Sequence, residues 1–137
     1  MWCVYAVLSA VFAAATAILA KMGVNGINSN LATAVRTVVI LALVWGLVFF
    51  NGTLSQIREF SRSNWIFLIL SGLATGLSWL FYFKALQLGN VSKVAPIDKL
   101  SVAITIFLGV FLLHEQPDLK VIAGGILIVL GSLVLIW

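Results

Sequence analysis

The sequence predicts an all-α integral membrane protein with five transmembrane helices. Of its 137 residues, 63% are hydrophobic and only 9% are charged, which is too little polar surface for a soluble domain of this size. Long apolar runs recur along the chain, each close to the roughly 20 residues that a helix needs to cross the hydrocarbon core. Because no Pro/Gly/Ser-rich linker separates these runs, we predict a single domain over residues 1–137.

The predicted helices follow one another with short connections. They lie at about residues 2–21, 31–50, 64–86, 92–113 and 119–137. The first lacks a basic N-terminal region and is longer than the apolar core of a signal peptide, so we expect it to stay as a transmembrane helix. The longest connection, residues 51–63, repeats apolar residues every third position beside Arg58, Glu59 and Arg62. This pattern predicts a short helix at the level of the lipid headgroups.

Small residues on the third predicted helix indicate a helix contact. Gly72 and Gly76 form a GxxxG pair, and small residues at this spacing let a second helix approach closely. We therefore assign structural roles to Gly72 and Gly76, and also to Glu115, which closes the fourth predicted helix. Farther along the third helix, Trp79 and Tyr82 belong to an aromatic cluster. Two roles are possible for this cluster: packing at the membrane interface, or contact with a substrate.

Ionisable side chains enter the apolar segments at only a few positions. Charges placed this deep are usually paired, hydrated or functional, because hydrocarbon does not solvate them. The residues are Arg36, Lys84, Lys93, Asp98 and Lys99. Cations outnumber the single carboxylate, so we expect a polar interior with net positive charge. Such an interior suits an anionic or zwitterionic solute better than a cation.

The start of the fourth predicted helix contains the deepest carboxylate. Pro96 removes a backbone hydrogen bond and loosens the helix just before Asp98 and Lys99. Two interpretations of Asp98 are open: it takes up and releases a proton, or it forms a fixed ion pair with Arg36 or with a lysine of a neighbouring helix. We include Ser101, which follows on the same helix, among the candidate site residues.

Arg36 also has two interpretations. It lies about one and a half turns into the second predicted helix, which is within reach of the membrane interface for a long side chain. Arg36 therefore either extends to the interface or pairs there, or it faces a polar cavity.

The sequence contains no arrangement typical of an enzyme, a metal site or a cofactor site. His114-Glu115 resembles the start of a zinc-protease HExxH motif, but Asp118 occupies the position that needs the second histidine. No Ser/His/Asp set and no phosphate-binding glycine loop is present. The net charge of +4 comes from scattered residues, so we expect no contact with nucleic acid.

The basic residues at the helix ends do not select one orientation in the membrane. On the positive-inside rule, the side with more Lys and Arg faces the cytoplasm. The two sides carry three each: Lys21, Lys84 and Lys93 against Arg58, Arg62 and Lys120. Adding the deeper Arg36 and Lys99 favours an N-terminus outside. A chain that inserts in both orientations can pair with an inverted copy of itself.

Several short motifs follow one another in a defined order. They are Arg36 in the second predicted helix, Tyr82–Leu86 at the end of the third, Ala95-Pro96 at the start of the fourth, Glu115 at its end, and the glycine-rich stretch Gly124–Gly131 in the fifth. In this order and spacing they resemble the drug/metabolite transporter superfamily, specifically a single EamA-like unit of five helices. The resemblance covers essentially the whole chain.

The resemblance implies a secondary active transporter of a bacterial or archaeal plasma membrane. Most members look like two fused units, so one unit implies an antiparallel homodimer or a related five-helix partner within the bilayer. We expect export of a small anionic or zwitterionic metabolite by alternating access. The related four-helix multidrug exporters use a carboxylate in their first helix, which this chain lacks. The alternative is a non-transporting or heteromeric membrane subunit, such as half of a lipid-carrier flippase.

Overall fold

The computed structural model describes all 137 residues and consists of helices and their connections, without strands. The α-helices are α1 (Trp2–Gly23), α2 (Ser29–Phe50), α3 (Arg62–Leu88), α4 (Val91–Asp98), α5 (Leu100–Leu113) and α6 (Leu119–Ile136). Five spans are long and apolar enough to cross a membrane, with α4 and α5 together forming one of them. The predicted all-α fold with five transmembrane segments is confirmed.

Helix α2 begins two residues before the predicted start because a side chain caps it. The Oδ1 atom of Asn28 accepts the backbone N–H groups of Asn30, at 2.8 Å, and Leu31, at 3.4 Å. One turn farther on, the Thr33 hydroxyl donates to the Ser29 carbonyl at 2.9 Å. The capping side chain satisfies N–H groups that a helix start otherwise leaves without partners.

The fourth transmembrane segment is interrupted at Lys99. The sequence pattern predicts one continuous helix over residues 92–113, but the structure divides it into α4 and α5. Pro96 lies inside α4 and has no N–H to donate. At the break, the Lys99 N–H donates to the Pro96 carbonyl and the Val102 N–H donates to the Lys99 carbonyl, both at 3.0 Å. Hydrogen bonds that reach back three residues tighten the turn and end the regular α-helix.

The connection between α2 and α3 contains a short 3₁₀ helix, Thr53–Glu59. A left-handed Gly52, with φ of 66°, precedes it. This helix has 3.0 residues per turn, so apolar residues at every third position, here Leu54 and Ile57, fall on one side. The predicted short helix is therefore present, and its three-residue period is the period of a 3₁₀ helix.

The chain divides into two compact units. One consists of Met1–Leu19 together with Leu88–Trp137, and the other of Ala20–Gln87. In the first unit, α6 packs against both α4 and α5. A Cβ atom added at Gly125 would lie 2.9 Å from Ile106 Cδ1, so α5 and α6 approach closely there. The Ser132 hydroxyl, only 4% exposed, donates to the Pro96 carbonyl at 2.9 Å and ties α6 to α4.

In the second unit, the buried side chains gather at the end where α1 ends, α2 begins and α3 ends. They are Val24, Ser29, Thr33, Phe83 and Leu86. Two hydrogen bonds join the same elements: Lys21 Nζ donates to the Leu86 carbonyl at 2.6 Å, and Gln87 Nε2 donates to the Ile27 carbonyl at 2.8 Å. The lysine satisfies a carbonyl near the end of α3, where a positive charge is also favoured by the helix dipole.

We predict that Gly125→Val destabilises the protein by about 1–3 kcal/mol, because the added methyl groups meet Ile106 and overpacking costs free energy of this order. The matched control is Gly124→Val, since a Cβ at Gly124 meets no atom within 4 Å. The measurement is the free energy of unfolding in mixed detergent micelles. Equal losses for the two variants would contradict the close α5–α6 contact.

Candidate functional site

The most developed group of polar and aromatic side chains lies between α2 and α3. The Cζ atom of Arg36 lies over two rings of α3, 4.5 Å from the centroid of Trp79 and 5.1 Å from that of Phe83. Trp79 and Phe83 are four residues apart, so they share one face of the helix. We call Arg36, Trp79 and Phe83 the Arg36 cluster. Arg36 is seven residues into α2, roughly 10 Å from the helix start at 1.5 Å per residue, and therefore inside the span.

The Arg36 cluster holds a cation without neutralising it. Phe83 is 3% exposed, whereas Arg36 and Trp79 are partly exposed. Contact between a guanidinium and aromatic faces is worth about 0.5–2 kcal/mol, but the rings carry no net charge. The ring of Tyr82 packs against that of Phe83, with 6.5 Å between the ring centroids. The Arg36 guanidinium is thus held by aromatic contacts and forms no ion pair in the structure.

Lys84 belongs to a different set of contacts. Its Nζ atom donates to Gln87 Oε1 at 3.2 Å, and Gln87 in turn donates to the Ile27 carbonyl. These residues form a chain of hydrogen bonds at the end of α3. Lys84 is exposed and lies near the end of α3. It does not take part in the ring contacts of Arg36.

In the first unit, the predicted site residues lie at the break between α4 and α5. Asp98 Oδ2 and Lys99 Nζ form an ion pair at 3.4 Å, with 38% of the Asp98 side chain and 55% of the Lys99 side chain exposed. The partner of Asp98 in the structure is Lys99, the next residue along the chain, and not Arg36 or a lysine of a neighbouring helix, the two partners considered from the sequence. Ser101 is exposed in the first turn of α5, and Pro96 accepts the hydrogen bond from Ser132. The pair lies within the fourth transmembrane segment, where each charge needs a partner or access to water.

Two of the residues with predicted structural roles have no close neighbour in their own compact unit. A Cβ atom added at Gly72 or Gly76 meets nothing within 4 Å, so no helix of that unit packs tightly against them. Glu115 does make a structural contact: its N–H donates to the Gly109 carbonyl at 3.2 Å, after a left-handed His114 with φ of 54°. Its Oε2 lies 3.0 Å from where a Gly109 Cβ would be. Glu115 therefore folds back over the end of α5.

Sequence reasoning missed two residues of these groups. Phe83 is not among the predicted site residues, although it lies four residues after Trp79, which indicates a shared helix face. Ser132 was not selected either, although it is the only hydroxyl in α6. A hydroxyl in an apolar span often bonds to a neighbouring helix, which is the signal that identifies Ser132. The structure shows no group of three or more His, Cys, Asp or Glu side chains that could hold a metal ion.

Comparison with known proteins gives matches over nearly the whole chain. The model of the EamA-like transporter family matches residues 1–137. A Sinorhizobium protein named "Uncharacterized transporter in cobO 3'region" is 48% identical over 134 residues, which are 98% of this chain and 95% of that protein. The Bacillus subtilis (strain 168) protein "Uncharacterized transporter YxxF" is 26% identical over 129 residues, 93% of this chain but 40% of that longer protein. No solved structure is a significant match.

Proposed function

Because this chain belongs to the EamA-like transporter family, we propose that it is a secondary active transporter exporting a small anionic or zwitterionic metabolite by alternating access. Family membership confirms the resemblance seen in the sequence. Together with the five spans, it makes the chain a multi-pass cell membrane protein of the transporter class. The substrate class, the direction and the mechanism are our proposal. We assign the chain no enzymatic activity and no cofactor.

One observation carries the substrate class: Arg36 lies inside a transmembrane span and forms no ion pair there. Its contacts are with the uncharged rings of Trp79 and Phe83, and the ion pair of the structure is the one between Lys99 and Asp98. A charged side chain inside a transmembrane span carries a solvation cost, because hydrocarbon does not solvate the charge. A side chain retained at that cost, and held in place by two rings, supports binding of a negatively charged group.

The helix break supports a coupling role for Asp98. Transporters often place coupling sites where a transmembrane helix is interrupted, and here the interruption at Lys99 places a carboxylate beside an ammonium group. We propose that a proton binds the Asp98 carboxylate and thereby removes its attraction for Lys99. Each transport cycle would then change the net charge at the break between α4 and α5. A proton can drive a conformational change only if it interacts differently with the two conformations.

A second five-helix unit completes the proposed transporter. Gly72 and Gly76 have no close neighbour in their own compact unit, which leaves room for a helix of a second chain. The Sinorhizobium relative aligns over 95% of its length, so it has the size of one unit as well. We propose an antiparallel homodimer with the solute route at the seam between copies. Isolation of this chain with an unlike five-helix partner would instead favour the heteromeric alternative.

We expect Arg36→Gln to reduce transport of the substrate at least about tenfold, because hydrogen bonds to charged groups contribute about 1.5–3 kcal/mol. The measurement is flux in proteoliposomes of small carboxylates and amino acids, with tetraphenylphosphonium as the cationic probe. Arg62→Gln is the control, since Arg62 is exposed at the start of α3. Movement of the cation alone, or equal loss in both variants, would contradict the assignment.

We expect Asp98→Asn to abolish accumulation driven by an imposed pH gradient while leaving substrate counterflow intact. Asparagine cannot exchange a proton, whereas counterflow needs no net proton movement. Asp118→Asn is the matched control, because Asp118 precedes α6 and its side chain makes no capping hydrogen bond. If gradient-driven accumulation by Asp98→Asn equals that of the unmodified protein, Asp98 has no role in coupling.

We expect a C-terminal tag to be labelled by a membrane-impermeant reagent from both sides of the membrane, with the two populations of similar size. The even distribution of flanking Lys and Arg residues is the physical reason. Labelling is measured on intact and everted vesicles. Tag access from one side only would point to a parallel assembly or to a distinct partner chain.

A further inference from the structure

We infer, on the basis of the transport function proposed above, that the Arg36 cluster recognises an oxyanion with two adjacent acceptor oxygens, a carboxylate or a phosphate. The edge of the Arg36 guanidinium makes the contact. Trp79 and Phe83 are positioning residues, because they act on the anion through the orientation that they give to Arg36.

The first reason is the arrangement of donors on the guanidinium group. Its five N–H donors lie in one plane around the edge of the group. The two α3 rings lie within 6 Å of its central carbon, Cζ. The donors form no salt bridge, and no unpartnered side-chain nitrogen or oxygen is buried in the structure. The donors of Arg36 are therefore not taken up by an ion pair, and the two rings contact the group around its central carbon.

The second reason is the geometry that this edge selects. Two parallel N–H donors match the two oxygens of a carboxylate or phosphate and form a bidentate pair, which lysine cannot reproduce. A spherical ion such as chloride gains the charge attraction but not the matched pair of hydrogen bonds. Recognition through the edge of the guanidinium group thus discriminates between oxyanions and anions of the same charge but a different shape.

The third reason is the rigidity of the two rings. Phe83 is almost fully buried, and both rings project from the same long helix, α3. Arginine has about 2 kcal/mol of side-chain rotamer entropy, and a long basic side chain in a span tends to extend toward the headgroups. Contact with Trp79 and Phe83 opposes that extension. Replacing a ring by an aliphatic side chain should weaken anion binding although the positive charge remains.

The test is chemical protection of arginine by simple anions. Phenylglyoxal modifies the purified protein in detergent, and mass spectrometry follows each arginine separately. The protecting ions are acetate, phosphate and chloride, as sodium salts at equal ionic strength. We expect acetate, phosphate or both to slow modification of Arg36 at least about threefold more than chloride does. The exposed Arg58 and Arg62 serve as internal controls whose rates stay the same.

Three ring variants test the positioning role. Trp79→Phe keeps an aromatic face and should retain protection, whereas Trp79→Leu and Phe83→Leu should lose it with unchanged rates at Arg58. Equal protection by chloride and the oxyanions, or protection that survives both leucine variants, would overturn the inference. Selective protection in a protein that moves no anion or zwitterion contradicts the transport function alone. Transport without selective protection contradicts the oxyanion site alone.

Discussion

The contact between the Arg36 guanidinium and the rings of Trp79 and Phe83 reflects the constraint that governs the whole molecule. Hydrocarbon cannot solvate a charge, so a charged side chain within a span needs partners or access to water. Here the partners are aromatic faces at 4.5 and 5.1 Å. They hold the cation and leave its charge free. A carboxylate partner would instead have neutralised the charge of the guanidinium group.

The same constraint applies to the backbone at the break between α4 and α5. Inside a membrane, every N–H and C=O group must find a partner within the protein or in a hydrated cavity. Pro96 disturbs the regular pattern, and its carbonyl accepts both the Lys99 N–H and the Ser132 hydroxyl. Interhelical hydrogen bonds in membranes average only about 0.6 kcal/mol. Their importance at this position is that they fix where the irregular backbone lies, next to the one carboxylate–ammonium pair.

The sequence predicted the five spans well because the length of an apolar run is set by the thickness of the bilayer. The early start of α2 also had a signal, in the asparagine and serine residues before the apolar run. The break at Lys99 was harder to predict, since proline near a helix start is often tolerated. The partners of Arg36 could not be read from the sequence, because periodicity gives the face of a helix but not which helix it meets. Spacing placed Trp79 and Phe83 together, and only the fold placed them beside Arg36.

The hydrogen bonds that join the α1–α2 turn to the end of α3 also oppose separation of these elements. Lys21 binds the Leu86 carbonyl and Gln87 binds the Ile27 carbonyl, and bonds of this type contribute about 0.5–1.5 kcal/mol each. Breaking these two bonds alone costs about 1–3 kcal/mol, and separating the elements would also expose the buried side chains of Val24, Phe83 and Leu86. A ligand can populate a separated arrangement only by binding it more tightly by at least the whole of this cost. The apolar contacts and the two hydrogen bonds therefore act together to keep the ends of these helices joined.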